Sequence, residues 1–360
     1  MSHSFPLALL IVALSRNGAP AGDDPVRRTV DHPIACLAIS PDGKTLAVGG
    51  AAKKGNPRDI HQPGKCTLLD VGTGKVVRSI ATQRAVLAVA FSPDGKRLLL
   101  GERDRHKIVA ADKKGSVFPR VWEVATGKSV LELDGHTDLI GGAAFFPDGK
   151  RMITASGDGT ARIWDAATGK ERLRIKTGSF NHGLALSPDG KRVAVGSGHT
   201  RLTIWDGESG KAVVTAKVGY STTNIAFAPD GSLVAVCSFG VNDITLWDGK
   251  SGVRKGSILV GYDRAKKTAV AGNVTSNLIF APDGKWLVTG NGALGDDDGA
   301  GELTVWHVAG RKKYARYKGH PGRIRALAFT PDGKTLVSAL ADGTVLLWDF
   351  AKVVKGKSES

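Results

Sequence analysis

Alternating apolar and polar positions recur along the 360 residues in short runs. Ile34-Ala35-Cys36-Leu37-Ala38-Ile39 and Ile324-Arg325-Ala326-Leu327-Ala328-Phe329 are typical. Each leads into a Pro-Asp-Gly turn, and a second run follows, such as Lys334-Thr335-Leu336-Val337-Ser338-Ala339. Period two on both sides of a turn predicts a β-hairpin. Proline presets φ at the second turn position, and aspartate and glycine supply the remaining geometry. The turn occurs seven times, at Pro41-Asp42-Gly43, Pro93-Asp94-Gly95, Pro147-Asp148-Gly149, Pro188-Asp189-Gly190, Pro229-Asp230-Gly231, Pro282-Asp283-Gly284 and Pro331-Asp332-Gly333, 41 to 54 residues apart. A recurring unit of this length predicts a repeat architecture. Such an array presents surfaces, so function has to be read from departures from the repeat.

A third run in each unit ends in tryptophan and usually aspartate: Trp164-Asp165, Trp205-Asp206, Trp247-Asp248 and Trp348-Asp349. Trp122-Glu123 and Trp306-His307 are variants, and Leu69-Asp70 is the degenerate copy. A turn such as Ala125-Thr126-Gly127-Lys128 or Ala167-Thr168-Gly169-Lys170 then leads into a fourth short strand, such as 129–133. The pattern predicts seven units of four strands.

On these residues the chain resembles the WD40-repeat family, whose repeats build β-propellers. The resemblance covers roughly residues 25–350. It is strongest at Gly135-His136, Asp158-Gly159 and Trp164-Asp165 in the third unit, and at Gly319-His320, Asp342-Gly343 and Trp348-Asp349 in the seventh. The Pro-Asp-Gly-Lys style of the repeats is similar to that of bacterial members. The fold expected is all-β: a seven-bladed propeller of four-stranded blades. In the family the residues matching His136, Thr154, Asp158 and Trp164, and His320, Ser338, Asp342 and Trp348, form a structural hydrogen-bond chain. A hydrolase triad is the competing reading of such a set, but its occurrence twice at repeat spacing favours structure.

The ends predict closure. After Asp349 the chain lacks a Thr-Gly-Lys turn, so the last unit misses its outer strand. Val26-Arg27-Arg28-Thr29-Val30 resembles the outer strand of other units, such as Arg172-Leu173-Arg174-Ile175. The N-terminal strand is therefore expected in the last blade, where it removes an exposed edge. The division expected is a signal peptide over 1–21, the propeller over 22–352 and a polar tail over 353–360. The apolar run 5–14 is too short to span a bilayer, and Ala19-Pro20-Ala21 resembles a cleavage site. Export to the periplasm or medium is the expectation, with the cytoplasm as the alternative if this segment is not a signal.

Composition narrows the chemistry. Cys36, Cys66 and Cys237 are odd in number and have no metal-ligand spacing, so no disulfide framework is expected. The formal charge of +16 raises the prospect of a nucleic-acid partner. The turn lysines Lys44, Lys96, Lys150, Lys191, Lys285 and Lys334 each follow a turn aspartate, so the excess lies elsewhere. No phosphate loop, HExxH, nucleophile elbow or CxxCH is present. No cofactor, metal or catalytic residue is assigned.

Three units take about 41 residues, and the extra length elsewhere is concentrated at 51–64, 102–119, 261–273 and 291–301. In an up-and-down blade all four connections leave at one rim, opposite the Pro-Asp-Gly turns, and closure makes units six, seven, one and two neighbours, so the insertions gather on one sector of that rim. Long loops of this kind carry function or drift. The candidate partner-binding residues are Lys53, Lys54, Arg58, Arg103, Arg105, Lys107, Lys113, Lys114, Tyr262, Arg264, Lys266 and Lys267. The aromatics assigned near the insertions are Phe118, Tyr262 and Tyr314. Asp296-Asp297-Asp298 is acidic but lacks the spacing of a calcium loop. His61 and His106 read as exposed loop residues. The function expected is a monomeric, non-catalytic scaffold for protein partners. The alternatives are an anionic-polymer binder, or a channel-site hydrolase or lyase, for which the inner strands offer only His182 and Asn224.

Overall fold

The computed structural model describes residues 25–52, 62–102, 118–178, 181–197, 201–218, 222–238, 243–260, 262–263, 268–269, 274–292 and 301–355. Seven four-stranded antiparallel sheets form blades 1 to 7. They occupy residues 36–82, 86–132, 140–176, 181–217, 222–259, 274–320 and 324–349, and Val26–Thr29 is the outer strand of blade 7. The expected seven-bladed propeller is the fold observed. Closure is explicit in the register: Val26 pairs with Leu347 and Thr29 with Thr344. An apolar cluster spans the seam, with Ile34, Leu46 and Val48 of blade 1 packed with Val337, Val345 and Leu347 of blade 7.

The Pro-Asp-Gly turn recurs for a local and a long-range reason. Each turn glycine lies in the left-handed region, Gly43 at φ 73° and Gly333 at φ 69°, where a Cβ is disfavoured. Each also packs on the proline of the preceding turn: Gly43 on Pro331, Gly95 on Pro41, Gly149 on Pro93, and so on to Gly333 on Pro282. These contacts circle the whole rim. Aspartate ties the turn inward: Asp42 Oδ1 accepts from Ser40 Oγ (2.5 Å) and the Lys44 amide (3.0 Å). These bonds hold the Asp42 carboxyl below the usual carboxylate range.

Two elements go beyond the sequence pattern. A helix, α1 (Phe350–Lys355), follows the third strand of blade 7. Phe350 and Val353 are buried, Phe350 meets the Phe329 ring edge-on at 4.7 Å, and Tyr317 Oη donates to the Val353 carbonyl (2.7 Å). The boundary placed at 352 therefore falls inside this helix, and Val353 belongs to the packed body rather than to a polar tail. The connection between blades 5 and 6 holds a short antiparallel pair, with Tyr262 opposite Ala269.

Candidate functional site

The alternation of strand direction sends the first-to-second and third-to-fourth strand turns to one rim of the ring. The second-to-third and blade-to-blade connections leave at the other. The strands flanking all four insertions end at this second rim, in blades 5, 6, 1 and 2. Of the candidate binding residues, Lys53, Lys54, Arg58, Arg103, Arg105, Lys107, Lys113, Lys114, Arg264, Lys266 and Lys267 lie outside the described residues, as do His61, His106 and Asp296 to Asp298. Tyr262 is placed by its backbone only. Tyr314 does not belong to this rim. It follows the turn after the third strand of blade 6 and packs on Trp286 at 4.6 Å, near the Pro-Asp-Gly side.

The roots of three insertions each carry an ion pair that the sequence reading missed. Lys65 Nζ, at the blade 1 root, meets Asp31 at 2.7 Å. Arg120, at the blade 2 root, lies 2.8 Å from Glu132 and 3.8 Å from Glu102. Arg316 pairs with Glu302 at the blade 6 root. Glu102 is 2% exposed, and its Oε2 accepts from the Arg84 amide (3.0 Å). Burial pushes its carboxyl up to about 7 against the pull of that amide and of Arg120. The partners sit on separate strands or, for Asp31, on the connection before blade 1, and at least twelve residues apart, so no local spacing signals them.

The expected structural chain is complete in blade 3. Trp164 Nε1 donates to Thr154 Oγ1 (2.8 Å), which lies 2.8 Å from His136 Nε2, and His136 Nδ1 lies 2.7 Å from Asp158 Oδ2. The indole can only donate, so the threonine hydroxyl accepts from it and its own O–H is free to donate to Nε2 while Nδ1–H donates to the carboxylate, the pattern of a neutral imidazole. Burial lowers the His136 pKa despite the Asp158 bond. Burial alone would raise the Asp158 pKa, but the bonds from His136 and Thr160 hold it well below the usual range. Arg162, buried beside it, donates to Glu171 (2.7 Å). Thr154 is fully buried, so a triad reading has no substrate access.

Blade 7 departs from this pattern. Trp348 Nε1 donates to Ser338 Oγ (3.0 Å), and His320 Nε2 lies 3.4 Å from that oxygen. Asp342 instead accepts from the Thr344 amide (2.8 Å) and hydroxyl (3.0 Å). Burial pushes the His320 imidazole down to about 4. Blade 1 carries a set that the sequence reading missed, with His32 Nε2 3.0 Å from Thr67 Oγ1. His32 lies four residues before its inner strand, as His136 and His320 do, but Asp31 precedes it instead of glycine.

Of the polar inner-strand residues, Asn224 is half-buried and the His182 side chain lies outside the described residues. Asn277 and exposed Arg325 are further polar residues on inner strands, and Asn277 Nδ2 donates to the Ile324 carbonyl (3.1 Å). Among the described residues no three His, Cys, Asp or Glu side chains converge to hold a metal. All three cysteines are buried free thiols. No described helix is long and apolar enough to cross a membrane.

Ring closure, seven four-stranded blades and the buried indole–hydroxyl–imidazole chain define a propeller built from tryptophan-bearing repeats. The family model described as "WD domain, G-beta repeat" matches residues 24–54, 127–165 and 311–349. These three segments are WD40 repeats, and the chain is similar to the WD40-repeat family. A WD repeat-containing protein of Synechocystis is 37% identical over 140 residues, covering 38% of this chain and 33% of that protein. The protein groucho of Drosophila melanogaster is 28% identical over 142 residues, covering 39% and 17%. A ribosome biogenesis protein WDR12 homolog of Brugia malayi is 30% identical over 151 residues, covering 38% and 34%. The matched segments span about a third or less of these relatives.

Proposed function

We propose that this chain is a non-catalytic interaction scaffold that engages protein partners through the insertions of blades 5, 6, 1 and 2. The observation that carries the reading is that the strands flanking all four insertions end at one rim, within the consecutive run of blades 5, 6, 7, 1 and 2 of a closed ring. A rigid ring with several long connections on one sector is the arrangement expected of a binding surface on a scaffold. The ion pairs at the insertion roots anchor those connections to the blades. The His136–Asp158–Thr154 set of blade 3 and the His320–Ser338 contact of blade 7 are both buried in blade packing, which supports a role other than catalysis. Basic residues of the blade 1 and 2 insertions, together with the acidic Asp296 to Asp298 of the blade 6 insertion, would orient a charged partner.

The test is affinity capture from the native host with the full chain and with a variant trimmed at 51–64 and 102–119. Partners lost on trimming support the reading, and an unchanged partner set refutes it. The net charge of +16 favours one second reading, an anionic polymer. That reading requires binding that weakens steeply with salt. Export is part of the proposal, and the mass of the mature N-terminus tests it: a chain beginning near residue 22 supports processing.

A further inference from the structure

At the Pro-Asp-Gly rim, arginine bridges blade 2 to blade 3 and blade 3 to blade 4. Arg97 donates to the Ala166 carbonyl and lies 5.7 Å from the Phe145 ring. Arg151 Nη1 donates to the Gly207 carbonyl (2.9 Å), and its guanidinium lies 4.2 Å from the Phe146 ring. Both arginines are the second residue after a turn glycine, and both carbonyls belong to the residue after a third strand. In blade 5 the arginine position is Leu233, and in blade 6 the carbonyl position is Val308. Leucine cannot bridge, and a cavity of about 580 Å³ lies between these two blades.

The cavity has an apolar wall of Leu233, Leu246, Val308 and Ala309. Its rim carries Lys255, Lys285 and Arg311. Arg311 stands where blades 3, 4 and 5 have Gly169, Gly210 and Gly252, at φ 71°, 64° and 64°, and it takes φ 49°. Among the described residues it is the only non-glycine with positive φ. Such strain concentrates at functional sites. Its guanidinium donates to the Lys255 carbonyl (2.5 Å), which holds it across the blade boundary.

Asp230 and Asp283 also line the cavity, and Oδ1 of each accepts within its own turn, from the Ser232 amide and hydroxyl for Asp230 and from the Lys285 amide for Asp283. Lys255 faces Asp248 at 3.4 Å. The rim cations outside such a pairing are Lys285 and Arg311. The two nearby aspartates tolerate a single negative charge better than a doubly charged phosphate.

We propose that this cavity binds a small apolar monocarboxylate, with the carboxylate on Arg311 and Lys285 and the hydrocarbon against Leu233, Leu246 and Val308. The volume suits such a ligand, and arginine suits a carboxylate. Calorimetric titration of the full chain with octanoate tests it, with octanol as the uncharged control. Octanoate is expected to bind one per chain, and octanol at least tenfold more weakly. Leu233→Arg puts a guanidinium into the cavity, bridging as in blades 2 and 3 or pairing with Asp248 as Arg192 pairs with Asp206 in blade 4, and in either place it fills the cavity, so octanoate binding is lost while the melting temperature holds or rises. Arg311→Gly restores the residue found in the neighbouring turns, so octanoate weakens at least tenfold, octanol is unchanged and the melting temperature does not fall. If Leu233→Arg fails to fold, Arg311→Gly decides alone. No octanoate binding by the unaltered chain, or unchanged octanoate affinity in either folded variant, overturns the proposal. The insertion rim is not involved, so failure here leaves the scaffold reading intact.

Discussion

Blades 3 and 7 carry matching letters, His, Thr or Ser, Asp and Trp, yet only blade 3 joins all four. The difference lies in the residues around the aspartate. In blade 3, Thr160 bonds to Asp158 Oδ1 through both its amide (2.8 Å) and its hydroxyl (2.7 Å), which leaves Oδ2 for His136. In blade 7 the Thr344 amide takes Oδ1 of Asp342 and its hydroxyl takes Oδ2. Arg27 of the closing strand donates to that same hydroxyl (3.2 Å). Buried Arg162 stands beside Asp158, whereas the matching position in blade 7 is Leu346. A motif therefore specifies which groups are present, and their neighbours decide which of them pair.

The largest effect should come from removing the charge in blade 3. Asp158→Asn leaves Arg162 buried with Glu171 alone and, with one accepting oxygen where there were two, turns an NH2 toward either His136 Nδ1–H or the Thr160 amide. Breaking such a buried pair costs about 3 kcal/mol. Asp342→Asn loses only bonds to Thr344 and should cost about 1 kcal/mol. Urea unfolding of the two variants measures both. Equal losses would erase the distinction between the blades.

Most of the ring was legible beforehand, because turn spacing and period-two runs are local signals. Closure was legible as well, since Val26–Thr29 has the pattern of an outer strand left without a blade. Other features depend on contacts between distant segments. His32 escaped because the pattern sought was Gly-His, and its partner Thr67 lies on the third strand rather than the second. Helix α1 escaped because Phe350 and Val353 find their cover on blades 6 and 7, not in the flanking sequence. The insertions announced themselves by length, but length does not say which of Lys53, Arg105 or Lys266 meets a partner. The cavity between blades 5 and 6 was hidden because Leu233 is an ordinary strand residue until it is set beside Arg97 and Arg151.

Acid should act more strongly on blade 7. His320 titrates near 4 when folded and near 6.5 when unfolded, so its stabilising contribution is complete above 6.5 and is lost as pH falls toward 4. The full loss is about 3 kcal/mol. His136 shifts in the same direction, but Asp158 opposes burial there. His320→Gln should therefore flatten the acid limb of stability more than His136→Gln does. Glu102 has the opposite sign: its pKa rises from about 4.5 unfolded to about 7 folded, so its contribution is present below 4.5 and lost as pH rises through 7. Glu102→Gln keeps an acceptor for the Arg84 amide and should gain about 2 kcal/mol at pH 8, with little change at pH 4.5. Unfolding midpoints across pH 4 to 8 separate the two limbs.

The smallest effect comes from extending the comparison to blade 4. Trp164, Trp306 and Trp348 all donate to a second-strand hydroxyl, from Thr154, Thr289 and Ser338. In blade 5 the hydroxyl has moved to Thr245 on the third strand, 2.8 Å from Trp247 Nε1. Blade 4 has Val195 at the second-strand position, and the buried Trp205 Nε1 has no hydrogen-bond partner among the described residues. Val195→Thr keeps the shape and supplies the missing acceptor. Burying a new hydroxyl normally costs about 1 kcal/mol or more, but here the hydroxyl and the indole satisfy each other. The substitution should therefore stabilise the chain by about 1 kcal/mol, read as a raised urea midpoint with an unchanged slope. A loss of stability instead would mean that the indole–hydroxyl link contributes nothing outside blades that also carry the histidine.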